Sequence, residues 1–143
     1  MNFTDTIGEI TSENYPSNYP DNVDTMQTIL GGEGNTIWIR FEAMNIEDGG
    51  TQCDYDYISI VDGNGSILMD PICGNNIPDV IQSFTSNVSV IFHSDGSVSM
   101  SGWKLAWSTE KLLPLATTTP LPTTWQNLYN PTRTIINSNL TGM

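Results

Sequence analysis

Short apolar alternations, each closed by a glycine- or aspartate-rich turn, constrain this chain more than any other feature of it. "NTIWIRFE" places Ile37, Ile39 and Phe41 on one face and Trp38 and Arg40 on the other. "YISIVDG" sets Ile58 with Ile60, and "NVSVIFHS" sets Val88 with Val90 and Phe92. "GWKLAWS" aligns Trp103, Leu105 and Trp107, with Lys104 opposite. The punctuation is "GGEGN", "EDGGTQ", "DGNGS", "CGNNIPD" and "SDGS". Period-2 runs bounded by such turns read as strands that each bury one face. No segment sustains the 3.6 period of a helix. The expected fold is all-β, an antiparallel two-sheet sandwich, over residues 7 to about 109.

The bulk numbers agree. Apolar residues make up 38 % and charged residues 14 % of the chain, below ordinary globular usage. Ser, Thr, Asn and Gly take their place, which suits turns and strands rather than a helical bundle. The composition changes near residue 110. "LLPLATTTPLPTT" reads as a linker or an O-glycosylated stalk. The expected organisation is a domain over 1–110, a Thr/Pro-rich linker over 111–124 and a tail over 125–143. The tail carries Trp125, Leu128, Tyr129, Ile135 and Ile136. It is too short to fold alone, so it packs on its own domain, packs on a neighbouring copy, or begins a further module.

Sixteen acids face four bases, for a net charge of −12. Nucleic acid is excluded as a partner, because phosphate binding needs a basic stripe. An anionic membrane surface is excluded on the same ground. Cations, or basic patches on another protein, are the natural complements; plain solubility is the other reading. No apolar run reaches the length of a membrane span. The opening "MNFTDTIGEI" has neither the basic start nor the apolar core of a secretory leader. An extracellular form of the protein would therefore be a mature chain or part of a longer one.

Cys53 and Cys73 form either one disulfide or two free thiols. A bridge would close a loop of about 20 residues and contribute roughly 3 kcal/mol. Asn-x-Ser/Thr sequons at Asn2, Asn64, Asn87 and Asn139 lean toward an oxidising, secretory environment, while the Asn130 triplet is blocked by Pro131. Asn64 lies in a turn, where a glycan is readily accommodated.

"CDYDYISIVDG" raises the functional question. Strands are depleted in aspartate, yet Asp54, Asp56 and Asp62 surround this one. Parity sets Asp56 on the face of Ile58 and Ile60. A carboxylate on the core side needs hydrogen-bond donors or a cation. Glu47 ends "FEAMNIE" and Asp95 lies in "SDGS". If these strand ends meet, the carboxylates either bind a metal or remain solvated loop acids. Oxygen ligands alone would suit Ca²⁺, whereas Zn²⁺ would call for His or Cys. No catalytic set emerges. The only histidine is His93, and it alternates out of the Val90/Phe92 face. No Ser/His/Asp or Cys/His arrangement can be assembled around it.

The order of the pieces adds to this. "GEITSENYPSNYPDNVD", "IWIRFEAMNIE", "CDYDYISIVDG" and "ICGNNIPDVIQSFTSNVSVIFHSDGSVSMSGWKLAW" follow one another at the spacing of the CUB domain, which the chain resembles from about Gly8 to Ser108. The resemblance implies a jelly-roll sandwich that is extracellular and non-catalytic, although such modules also occur beside protease domains. It is similar to the calcium-binding branch. That similarity implies Glu47, Asp56 and Asp95 as metal ligands, Ser97 and the Val98 carbonyl completing the shell, and Tyr19 bracing Glu47. It also implies a partner's lysine or arginine held by Glu47, Asp95 and Ser97. Asp54 is then a variable exposed residue, and Asp62–Gly63 a turn.

One departure stands out. Many members carry a first disulfide near the N-terminus. Here Thr25 stands at one of its positions, Gln27 replaces the usual Trp, and the N-terminal Cys is absent. This leaves the N-terminal strand less tied and makes calcium and packing more important. Two rival functions remain: an assembly subunit joined through the tail, with calcium only stabilising the fold, and glycan binding on Trp38 or the Tyr55/Tyr57 face.

Overall fold

The computed structural model describes residues 2–115. The linker beyond Leu115, the tail and the Asn139 sequon lie outside the described residues. Among the described residues, nine strands form two sheets. The first sheet contains β1 (Asn2–Phe3), β3 (Asp24–Leu30), β8 (Asn87–His93), β5 (Tyr57–Asp62) and β6 (Ile67–Ile72), in the order β1-β3-β8-β5-β6. The second contains β2 (Ile7–Thr11), β9 (Gly102–Ser108), β4 (Trp38–Asn45) and β7 (Ile81–Gln82), in the order β2-β9-β4-β7. Every pair is antiparallel except β1 with β3. This is the expected two-sheet sandwich, and the described residues include no helix.

The alternation in the sequence becomes the core. Ile37, Ile39, Phe41, Ile58, Ile60, Val88, Val90, Phe92, Trp103, Leu105 and Trp107 are all buried between the sheets. Two glycines allow the close approaches this requires. A side chain at Gly8 would collide with the Trp107 indole at 2.8 Å. Gly102 has φ +95°, and a Cβ there would run into Ser12 Oγ, which accepts the Trp103 N–H at 3.0 Å.

Two strands lack a readable alternation. β3 turns Thr25, Gln27 and Ile29 to one side, but only Ile29 is fully buried. The two polar residues instead line a cavity of about 250 Å³ with Tyr19, Phe92 and Trp103, at the edge where the missing disulfide would lie. β6 carries exposed Asp70 and Pro71 just before its last residue, Ile72; a proline is tolerated because this is an edge strand. Cys53 and Cys73 are joined as a disulfide with Cα atoms 5.7 Å apart. The bridge ties the loop before β5 to the residue just after β6.

Candidate metal centre

The strand register brings three distant acids to one end of the sandwich. Tyr57 pairs with His93, and His93 pairs with Asp24. Asp56 precedes its strand and Asp95 follows the neighbouring antiparallel one, so both emerge at the same end. The ladder continues past β3: Asn22 N–H donates to the Asp95 carbonyl at 2.8 Å, and Ser94 N–H to the Val23 carbonyl at 2.8 Å. Glu47 arrives from the other sheet, just beyond the Ile46–Gly74 bridge that follows β4. One oxygen from each of Glu47, Asp56 and Asp95 lies within 4.8 Å of the others.

Tyr19 spans the two sheets. It is 1 % exposed. Its hydroxyl donates to Asp56 Oδ2 at 2.6 Å and accepts the Glu47 N–H at 3.0 Å. Asp95 N–H donates to Asp56 Oδ1 at 2.8 Å, so each Asp56 oxygen has one donor. Ser97 N–H closes back on Asp95 Oδ1 at 3.2 Å. Ser97 and Val98 are exposed on the loop that follows. Val98 has φ +57° and Asn22 φ +58°. A β-branched residue rarely adopts this region, and such strain gathers at functional loops.

The electrostatics are unfavourable as they stand. Burial and the Asp95 carboxylate push the Asp56 carboxyl up, although the bonds from the Tyr19 hydroxyl and the Asp95 N–H oppose this. Desolvation, followed by the charges of Asp56, Asp95 and Asp21, pushes Glu47 up. Burial and the bond to Asp56 also raise the Tyr19 hydroxyl, so it remains a donor. Among the described residues no base compensates. Arg40 pairs with Glu42, Lys104 approaches Glu9 and Glu42, and Lys111 lies over the Trp38 ring. Glu47 Oε1 is shut off from solvent and has no hydrogen-bond partner. A buried carboxylate oxygen without a donor, facing two other carboxylates, is what a cation would satisfy. The donors are oxygens throughout, which fits Ca²⁺.

The model of the CUB domain matches residues 1–107. The chain belongs to the CUB family. Protein SpAN of Strongylocentrotus purpuratus is 38 % identical over 122 residues, which cover 85 % of this chain and 19 % of that protein. Mannan-binding lectin serine protease 1 of Mus musculus is 38 % identical over 107 residues, 73 % of this chain and 15 % of that protein. This CUB chain thus spans less than a fifth of either relative. Among solved structures, the MASP-1 CUB2 domain bound to Ca²⁺ superposes with a TM-score of 0.70 at 35 % identity, covering 75 % of this chain and 96 % of that one.

The remaining sequence expectations divide. Asp54 is exposed. Asp62 does stand at a turn, with Gly65 N–H donating to its carbonyl at 2.9 Å, but its side chain is only 3 % exposed. It is held by Thr85, whose N–H and Oγ1 donate to Oδ1 at 3.3 and 3.0 Å. Asn2, Asn64 and Asn87 are exposed. Asn64 Oδ1 accepts the Ser66 N–H at 2.8 Å, which fixes its turn. His93 is engaged by Asp24 at 2.6 Å and stacks on Tyr57. With Trp38 beneath Lys111, two of the aromatics considered for sugar stacking already have partners. Sequence reasoning missed Asp21 and Asn22, which lie in the "YPDN" turn. No spacing rule marks them; only the continued ladder beyond β3 does.

Proposed function

We propose that the chain is a non-catalytic, extracellular, Ca²⁺-dependent protein-interaction module. Glu47, Asp56 and Asp95 would hold the ion, with Ser97 and the Val98 carbonyl completing its shell and Tyr19 fixing Glu47 and Asp56 relative to each other. The ion supplies the positive charge that lets three close carboxylates remain ionised. Once it is bound, Glu47, Asp95 and Ser97 present a preorganised acidic edge to a lysine or arginine of a partner protein. The observation that carries this reading is the buried, donorless Glu47 Oε1 beside Asp56 and Asp95. The disulfide and the exposed sequons support an oxidising, secretory setting.

Thermal melting in millimolar Ca²⁺ and in chelator tests it, with Asp95→Ala alongside. Extracellular modules bind Ca²⁺ with dissociation constants of about 10⁻⁴–10⁻³ M. A ligand at about 100 times that constant stabilises by roughly 2.7 kcal/mol. The expected result is a calcium-dependent rise in Tm for the wild type and none for Asp95→Ala. No rise in the wild type would leave the acids as loop residues. A second reading, the assembly subunit, is favoured by exposed apolar side chains at the far edge of the sandwich. It differs in one result: Asp95→Ala would lower stability and leave association between copies intact.

A further inference from the structure

The open edge at β6 and β7 carries an apolar surface that the acidic site does not use. Phe84 is 71 % exposed, Ile67 61 % and Ile77 47 %. Two adjoining grooves meet along Pro78–Val80. One, of about 500 Å³, is lined by Arg40, Phe41, Ile77, Pro114 and Leu115. The other, of about 440 Å³, is lined by Ile67, Leu68, Met69, Ile81 and Phe84. β7 pairs with β4 only at Trp38 and Ile39, so among the described residues β4 has no strand partner on that side from Arg40 to Asn45. Contiguous exposed apolar surface beside a free strand edge is a docking feature.

The course of the chain suggests what covers it. After β9 the backbone turns back over β4. Lys111 Nζ lies 6.0 Å above the Trp38 ring, and Arg40 Nη1 donates to the Leu113 carbonyl at 3.3 Å. Leu115, the last described residue, already lines the first groove. We propose that both grooves are filled by Trp125–Ile136 of the same chain, folded back from Leu115.

Reach, chemistry and charge support this. The steps from Leu115 to Trp125 extend at most about 35 Å. That is enough to return anywhere on a face of a domain whose radius of gyration is about 13 Å. Trp125, Leu128, Tyr129, Ile135 and Ile136 supply apolar groups for both grooves. The only charge beyond Leu115 is Arg133, whereas all 16 acids lie at or before Glu110. Asp79, shared by the two grooves, offers Arg133 a counter-charge. A tether this short holds the segment at an effective concentration of about millimolar, which favours its own domain over a second copy.

Hydrogen exchange followed by mass spectrometry on the full chain tests the proposal, at two protein concentrations and with Phe84→Asp and Trp125→Ala alongside. Peptides over 125–136 should exchange about tenfold or more slowly than unstructured chain at both concentrations. Phe84→Asp and Trp125→Ala should each abolish that protection. Neither should change the calcium-dependent rise in Tm, which shows the variants folded. Exchange at unstructured rates in the wild type overturns the proposal. So does protection that appears only at the higher concentration, which would assign the surface to another copy. Protection that survives Phe84→Asp would place the segment elsewhere.

Discussion

Two aspartates mark the two ends of β5, and both are buried: Asp56 at 0 % exposure and Asp62 at 3 %. Asp62 is bound by neutral donors. Thr85 gives its Oδ1 two hydrogen bonds, its Oδ2 is buried without one, and the turn from Asp62 to Ser66 closes beside it. Asp56 also receives two, from Tyr19 and Asp95. The difference lies in the neighbours. Asp56 shares its space with Glu47 and Asp95, whereas no other carboxylate is bonded to or clustered with Asp62. Burial alone therefore does not make a site. Like charges brought together, with no base among the described residues beside them, are what makes the Asp56 end a candidate cation site.

Alanine at each position sharpens the contrast. In millimolar Ca²⁺, Asp56→Ala should cost about 4 kcal/mol or more, because it orphans the Tyr19 hydroxyl and the Asp95 N–H and also removes the ion's contribution. Asp62→Ala should cost about 1–3 kcal/mol through Thr85 alone and keep the full calcium response. Melts with and without chelator read both. A lost calcium response in Asp62→Ala would erase the distinction between the two ends.

The disulfide offers a second way to break it. Cys53 lies three residues before Asp56, so the bridge steadies the Asp56 end of β5. Replacing both cysteines by serine should cost about 3 kcal/mol. It should also weaken calcium binding measured by titration calorimetry, while Asp62 and Thr85 keep their amide protection. Equal loss of protection at both ends would show that the bridge stabilises the whole domain rather than one end.

The pH dependence follows from the same asymmetry. Without calcium, Glu47 and Asp56 are pushed above their ordinary values of 4.5 and 3.8. The folded domain then holds more protons than the unfolded chain above those values, so these two groups make stability fall as pH rises through the raised range. Calcium should cancel that fall by favouring the ionised forms. Tm measured from about pH 4 to 7 in chelator, compared with Glu47→Gln, isolates the effect, because the variant should show a shallower decline. An identical profile in the two proteins would remove Glu47 from the cluster.

How much of this was legible in the sequence differs between the ends. Alternation revealed β4, β5, β8 and β9, because apolar side chains at every second position of each fill the core, although β5 and β9 bury much of their other face as well. It failed at β3, where Thr25 and Gln27 face a cavity rather than packed core, and at β6, where Asp70 and Pro71 break the pattern on an edge. Parity placed Asp56 on the inner side of its strand. No local rule joined it to Glu47 and Asp95, since their meeting depends on the register of three strands and a tyrosine crossing between sheets. Only the order of motifs pointed there. The same parity places Asp62 inward, but Asp62–Gly63 reads only as a turn, and the partner Thr85 was not readable because it lies in another loop.

The smallest expected effect concerns the backbone at the Asp56 end. Val98 holds φ +57° while its side chain is 58 % exposed, so the strain is not offset by packing. A left-handed conformation costs a non-glycine residue about 1–3 kcal/mol. Glycine would relieve most of that and return part of it as unfolded-state entropy. Val98→Gly should therefore raise stability in chelator by up to about 1 kcal/mol, with the carbonyl still available to an ion. If the loop adopts this shape in order to present that carbonyl, calcium affinity should be unchanged or slightly higher in the variant. A fall in affinity with the stability gain intact would mean that valine's stiffness itself aims the carbonyl, making the strain part of the site.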